Sequence, residues 1–169
     1  MVCYYFYKNI VLALSEIYFA FYNGYSGQIL FMDWLPTLYN SVFTSYACIF
    51  TFSLEQDATK ENSYKYPILY CAGQQHKYFN LWVFWKWIVF SLWHGICSFF
   101  GPMIFAQGPV TSNGLLSHHW FDSTSSFTII INFVMLKLFI ESVFWNWLSF
   151  LAAIISILLY YGFVLLLST

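Results

Sequence analysis

Five apolar runs, each close to the length that crosses a membrane, constrain the fold of this chain more than any other feature. A helix needs about 20 mostly apolar residues to span the hydrocarbon core of a bilayer. Runs of that kind lie at 4–22, 35–54, 80–104, 126–143 and 147–167. Composition agrees, because 60% of the residues are hydrophobic and only 8% are charged. Soluble domains carry about 25% charged residues, so the sequence predicts an all-α membrane protein, a bundle of about five transmembrane helices.

Charge and cysteine spacing exclude several classes of function. The formal net charge is −1, and nucleic-acid-binding domains carry basic patches, so we expect no nucleic-acid partner. The cysteines are Cys3, Cys48, Cys71 and Cys97. They form no zinc-type spacing and imply no disulfide framework. His118, His119 and Asp122 are close in sequence, but adjacent histidines in a loop are weak evidence, so we predict no metal site. His94 lies alone among apolar neighbours and is expected to be a hydrogen-bonded residue of the bundle.

The lysines indicate the orientation of the chain. Cytoplasmic segments near membrane spans carry an excess of lysine and arginine. Lysines occur near the N-terminus and in the link 55–79, whereas the links 23–34 and 107–125 contain none. We therefore expect the N-terminus and the link 55–79 to be cytosolic.

The first run carries polar side chains where hydrocarbon would surround a helix. Asn9, Glu16 and Asn23 are seven residues apart and form one row, with Lys8 and Ser15 in a second row beside it. A charged side chain in a span costs about 2.5–3.5 kcal/mol on insertion scales, so such residues face a partner or a water-lined path. For Glu16, the choice is between a proton or cation site and a hydrogen bond that ties two helices; we expect the structural role. For Lys8 the residues alone favour a side chain that extends to the cytosolic interface.

Two further sets of polar residues follow helical spacing. Small and polar residues on the second run share one predicted face, namely Asn40, Thr44, Ala47 and Thr51. Residues of this kind also serve ordinary helix packing in membranes. Lys137 and Glu141 are four apart near the cytosolic end of the fourth run, and we predict a structural ion pair between them.

Several blocks of sequence resemble one family in order and spacing. Tyr-Lys-Asn at 7–9, Phe-Ala-Phe-Tyr-Asn-Gly-Tyr-Ser-Gly-Gln at 19–28 and Leu-Tyr-Asn-Ser-Val-Phe-Thr-Ser at 38–45 resemble the fifth and sixth transmembrane helices of the type IV P-type ATPases, the phospholipid flippases. Tyr-Pro-Ile-Leu-Tyr at 66–70 and Leu-Lys at 136–137 continue the resemblance. The chain departs from many relatives at 46–48, where Tyr-Ala-Cys stands in place of a proline-containing segment.

The resemblance implies a partial P-type ATPase membrane domain over 1–169, with the fifth to ninth helices of the family. The intact enzyme would move phospholipid from the exoplasmic to the cytosolic leaflet, using ATP and Mg²⁺ bound by phosphorylation, nucleotide-binding and actuator domains. It also implies that Lys8, Asn9, Asn40 and Thr44 line the lipid pathway, which reverses the first interpretation of Lys8. An accessory glycoprotein subunit would be a partner, and the enzyme would reside in the plasma membrane or in Golgi or endosomal membranes.

The 169 residues contain no Asp-Lys-Thr-Gly-Thr phosphorylation motif and no Walker-type phosphate loop. We therefore expect no catalytic residue and no cofactor in this chain, and we expect it to be a truncated portion of such an enzyme. The alternative is a free-standing, non-catalytic membrane protein that binds lipid or a partner subunit.

Overall fold

The computed structural model describes residues 2–56, 58, 60–74, 79–106, 119–144 and 146–168, and these residues form helices joined by turns. Three of the helices are long and apolar enough to cross a membrane: α6 (Leu81–Ala106), α7 (His119–Glu141) and α8 (Trp147–Ser168). They correspond to the predicted runs 80–104, 126–143 and 147–167. The all-α membrane fold is thereby confirmed.

Helix α7 begins about two turns before the predicted run. Its first turns are rich in serine and threonine, which lower the local hydropathy without ending the helix. Thr124 Oγ1 donates to the carbonyl of Trp120 at 2.6 Å, and Ser125 Oγ donates to that of Phe121 at 2.7 Å. These hydroxyls are satisfied by the backbone of their own helix, so they can be tolerated inside a span.

The first predicted run is the continuous helix α1 (Val2–Tyr22). Its 21 residues would extend about 31 Å at 1.5 Å per residue. It is long enough to cross a bilayer, but its most apolar stretch has a lower hydropathy than those of α6, α7 and α8. Lys8, Asn9 and Glu16 account for the lower hydropathy.

The second predicted run, 35–54, is an interrupted helix. Helix α2 (Trp34–Leu38) leads into a π-helical turn (Tyr39–Phe43), and α3 (Ser45–Leu54) follows. The link 55–79 contains α4 (Lys60–Lys65), a 3₁₀ turn (Pro67–Tyr70) and α5 (Cys71–Gln74). Residues 57, 59 and 75–78 of this link and residues 107–118 of the third link, including His118, lie outside the described residues.

Helix α1 packs along α6, α6 packs against α7, and α3 packs against α8. The α1–α6 contact is close, since Ser15 Oγ lies 3.2 Å from Ser98 Oγ and Gly95 faces Leu14. Fully buried aromatic rings join the remaining helices, with Phe127 5.8 Å from both Tyr39 and Tyr160 between ring centroids. This core fixes the interrupted helix beside α1.

Candidate functional site

The fold brings Lys8 and Thr44 together, although they lie on different helices. Lys8 Nζ donates a hydrogen bond of 2.9 Å to Thr44 Oγ1. Lys8 is only 3% exposed and Thr44 is fully buried. The ammonium therefore points into the bundle, and Lys8 does not extend to the interface in the way that the residues alone suggested.

The π-helical turn supplies the acceptor for Lys8. Both the backbone N–H and the side-chain hydroxyl of Thr44 donate to the carbonyl of Tyr39, at 3.1 Å and 2.7 Å. Because the Thr44 hydroxyl hydrogen is used in this bond, the lone pairs of its oxygen remain available to the ammonium. A π turn inside a helix is rare and is frequent at functional sites.

Tyr39 closes a ring of contacts between the two helices. Its phenolic hydroxyl donates to the backbone carbonyl of Lys8 at 3.0 Å. The Lys8 ammonium also lies over two aromatic rings, 5.1 Å from the ring centroid of Tyr5 and 5.8 Å from that of Tyr39. Both distances are within the range of a cation–π interaction.

The charge of Lys8 is left without a counter-ion among the described residues. Among the described residues, the ion pair joins Lys137 and Glu141, and no carboxylate oxygen of a described residue lies within 4 Å of Lys8 Nζ. A hydroxyl and two ring faces carry no net negative charge, so they compensate a buried ammonium only in part, whereas a carboxylate or phosphate oxygen would add an opposite charge. An anionic oxygen would be a stronger acceptor for this ammonium than the neutral hydroxyl of Thr44.

The other two predicted pathway residues lie outside this buried ring of contacts. Asn9 is exposed and its side-chain amide donates to the carbonyl of Tyr5 at 2.9 Å. Asn40 is also exposed, whereas Thr44, Ala47 and Thr51 are buried. The predicted common face of the second helix is therefore only partly formed. The extra residue in the π turn changes the angle between Asn40 and Thr44.

The residues predicted to have structural roles occupy different environments. Glu16 is exposed on α1, and its carboxylate makes no hydrogen bond to any residue that the structure describes. Lys137 Nζ lies 2.6 Å from Glu141 Oε1, as the spacing predicts. The same ammonium lies 4.6 Å from the ring centroids of Trp87 and Phe90 on α6, so the pair also joins α7 to α6.

Sequence reasoning missed two tyrosines. Tyr39 takes part in the Lys8 site through both its carbonyl and its hydroxyl, and Tyr7 places its hydroxyl 2.5 Å from Nδ1 of His94. Tyrosines are numerous in the chain, 14 in all, so their number concealed these two. What marks Tyr7 and Tyr39 is that each is fully buried on a helix that also carries polar side chains. Burial is known only from the fold.

Among the described residues, no group of three or more His, Cys, Asp or Glu side chains could hold a metal ion.

Comparison with known proteins identifies the family. A family model described as phospholipid-translocating P-type ATPase C-terminal matches residues 1–169. Phospholipid-transporting ATPase C887.12 of Schizosaccharomyces pombe is 32% identical over 166 residues, which are 97% of this chain and 13% of that protein. Human phospholipid-transporting ATPase IC is 32% identical over 94% of this chain and 13% of its own length. Phospholipid-transporting ATPase DRS2 of Saccharomyces cerevisiae is 29% identical over 80% of this chain and 10% of its own length.

The chain therefore spans about an eighth or less of the length of these relatives. The family model covers all 169 residues, and therefore both the helices and the Lys8 site. The chain belongs to the phospholipid-translocating P-type ATPases and corresponds to their C-terminal region.

Proposed function

We propose that this chain supplies part of the lipid pathway of an ATP-driven flippase that moves phospholipid from the exoplasmic to the cytosolic leaflet. The observation that carries the proposal is the buried ammonium of Lys8, which is 3% exposed and bonded to the neutral hydroxyl of Thr44. A phospholipid head must cross about 30 Å of hydrocarbon, and it loses its hydration on the way. An ammonium without a counter-ion replaces part of that hydration at the phosphate.

Lys8 would bind the phosphate of the head group, and Thr44 would accept the ammonium when no lipid is present. Asn9 and Asn40 would supply amide donors and acceptors from the exposed surface beside this site. The Lys137–Glu141 pair would have a structural role in the bundle. Glu16 would not tie two helices as expected, since its exposed carboxylate makes no hydrogen bond to a described residue. Helix α1 and the interrupted helix would cross the membrane together with α6, α7 and α8.

ATP and Mg²⁺ would be bound elsewhere in the complete enzyme. The phosphorylation, nucleotide-binding and actuator domains of the ATPase would supply the energy and would be the main partners. The N-terminus would be cytosolic, and an accessory glycoprotein subunit would contact the exoplasmic links in a plasma-membrane, Golgi or endosomal enzyme.

Lipid-stimulated ATP hydrolysis tests the role of Lys8. A chimera in which residues 1–169 replace the matching segment of the S. pombe relative provides an enzyme that can be assayed. Lys8→Ala should raise the KM for phosphatidylserine or phosphatidylethanolamine by about tenfold or more, because a hydrogen bond to a charged group contributes about 1.5–3 kcal/mol. Binding of the same lipids in detergent micelles to the 169-residue chain should weaken in parallel.

Lys86→Ala is the matched control, because Lys86 is an exposed lysine on α6. Its removal should leave lipid dependence unchanged. If Lys8→Ala behaves like Lys86→Ala in both assays, Lys8 has no place in the lipid pathway. If the chain binds lipid but lipid does not stimulate ATP hydrolysis by the chimera, the non-catalytic alternative is favoured.

A further inference from the structure

We infer that Tyr39 is a positioning residue for Lys8. Tyr39 holds the Lys8 ammonium in the position where a lipid phosphate can bind to it. This inference rests on the proposed function of Lys8 as the phosphate-binding group. A lysine side chain has a flexible four-carbon stem, so a defined position for its ammonium requires contacts from other residues.

Tyr39 reaches Lys8 by three routes. Its hydroxyl donates to the Lys8 carbonyl at 3.0 Å, which holds the backbone of α1 against the π turn. Its carbonyl accepts the Thr44 hydroxyl at 2.7 Å, which leaves the Thr44 oxygen free to accept from Lys8 Nζ at 2.9 Å. Its ring lies 5.8 Å from the ammonium. One buried residue thus controls the backbone, the hydrogen-bond acceptor and the aromatic surface that surround the charge.

The π turn is necessary for this arrangement. In an α-helix the carbonyl of Tyr39 would accept from the N–H of Phe43, whereas in the structure the N–H of Thr44 donates to it at 3.1 Å. The wider turn therefore presents the Thr44 hydroxyl to both the Tyr39 carbonyl and the ammonium of Lys8. A phosphate oxygen that approaches Lys8 has to displace only a neutral hydroxyl, whose hydrogen bond to Tyr39 survives the exchange.

The experiment measures KM and kcat for phosphatidylserine with Tyr39→Phe in the S. pombe chimera. This substitution removes the hydroxyl and keeps the ring. We expect KM to rise about threefold to tenfold with kcat nearly unchanged, which corresponds to the loss of one buried hydrogen bond. If Tyr39→Phe fails to accumulate, Thr44→Val decides the question. Loss of the hydroxyl that holds the ammonium in place should raise KM as Tyr39→Phe does, whereas a lower KM would show that Thr44 only competes with the phosphate, and the positioning role would be wrong. Thr44→Ser, which keeps the hydroxyl, should leave KM unchanged.

Tyr160→Phe is the matched control. Tyr160 is also fully buried, and its hydroxyl lies 2.6 Å from Thr128 Oγ1, so removing that hydroxyl breaks no hydrogen bond of Lys8 or Thr44. Its loss should lower thermal stability without changing KM. If Tyr39→Phe does the same, Tyr39 has a structural role only and the inference is wrong.

A double substitution separates this inference from the function on which it rests. If Tyr39 acts through Lys8, Tyr39→Phe should have no further effect on KM in a Lys8→Ala background. Additive effects would overturn the positioning role while leaving Lys8 in the pathway. An unchanged KM in Lys8→Ala alone would instead remove the proposed function, and the inference with it.

Discussion

The close contact between α1 and α6 makes a specific prediction about Gly95. A methyl group added at Gly95 would lie 3.1 Å from Leu14 Cβ, 3.4 Å from Leu14 Cδ1 and 3.5 Å from Tyr18 Cε2. The first distance is too short for an ordinary carbon–carbon contact, so the two helices would have to move apart by a few tenths of an ångström. Gly162, on α8, is helical too, but a methyl group there would meet no atom within 4 Å.

The two glycines separate two opposing effects of a change to alanine. Replacing a glycine in a helix gains about 0.5–1 kcal/mol because the unfolded chain loses freedom. Overpacking a close contact costs about 1–3 kcal/mol. Gly162→Ala should therefore stabilise the protein by about 0.5–1 kcal/mol, whereas Gly95→Ala should be neutral or destabilise it by up to about 2.5 kcal/mol. For a protein of this size, that difference corresponds to about 2–12 °C in melting temperature.

A thiol-reactive fluorescent dye provides the assay. Cys3 and Cys48 are buried free thiols, so they become reactive when the bundle unfolds on heating in detergent. Exposed Cys71 is replaced by serine in all variants to lower the background. Equal stabilisation by the two alanine substitutions would refute the reasoning, because it would mean that α1 and α6 are not in close contact at Gly95.

Two other predictions concern a buried hydroxyl and the orientation of the chain. Ser156 is fully buried, and its hydroxyl oxygen has no hydrogen-bond partner among the described residues. Ser156→Ala should stabilise the protein by about 1–3 kcal/mol and so raise its melting temperature. Ser91→Ala, which removes a hydrogen bond to the Trp87 carbonyl, should not raise it. Equal shifts of the two melting temperatures in the dye assay would contradict this prediction. In a background without native cysteines, a membrane-impermeant reagent on the cytosolic side should label Lys60→Cys and spare Asn113→Cys, and the reverse pattern would overturn the proposed orientation.

Much of the fold follows from length and apolarity alone. Helices α6, α7 and α8 are continuous apolar runs, and only helices satisfy the backbone of such runs inside a membrane. The start of α7 could not be located in the same way, because hydropathy falls where hydroxyls such as that of Thr124 bond to their own backbone. Hydropathy measures transfer from water, and it does not record a hydrogen bond that makes a polar side chain tolerable.

The site was harder to predict than the fold, because α-helical spacing does not hold across the second helix. Lys8 and Thr44 were both predicted to be pathway residues, but their contact joins two helices through a π turn, which spacing at 100° per residue does not predict. The hydrogen bond from Thr44 to Tyr39 lies within the turn, whereas the bonds of Thr44 and Tyr39 with Lys8 join it to α1. Spacing rules that assume 100° per residue therefore placed Asn40 on the face of Thr44, whereas the structure exposes it.

The position of Lys8 bears on why a lysine is present in α1 at all. A lysine that served only to anchor the helix at the interface would extend its ammonium toward water, and its stem would cover apolar surface. Here the ammonium is turned inward, is 3% exposed and meets a neutral hydroxyl of a neighbouring helix. Replacing such a group with a well-packed apolar residue is often neutral or stabilising for a fold, so packing alone does not account for it. A buried charge held by weak, exchangeable partners is suited to a stronger partner that comes and goes, and a phosphate crossing the bilayer is a ligand of that kind.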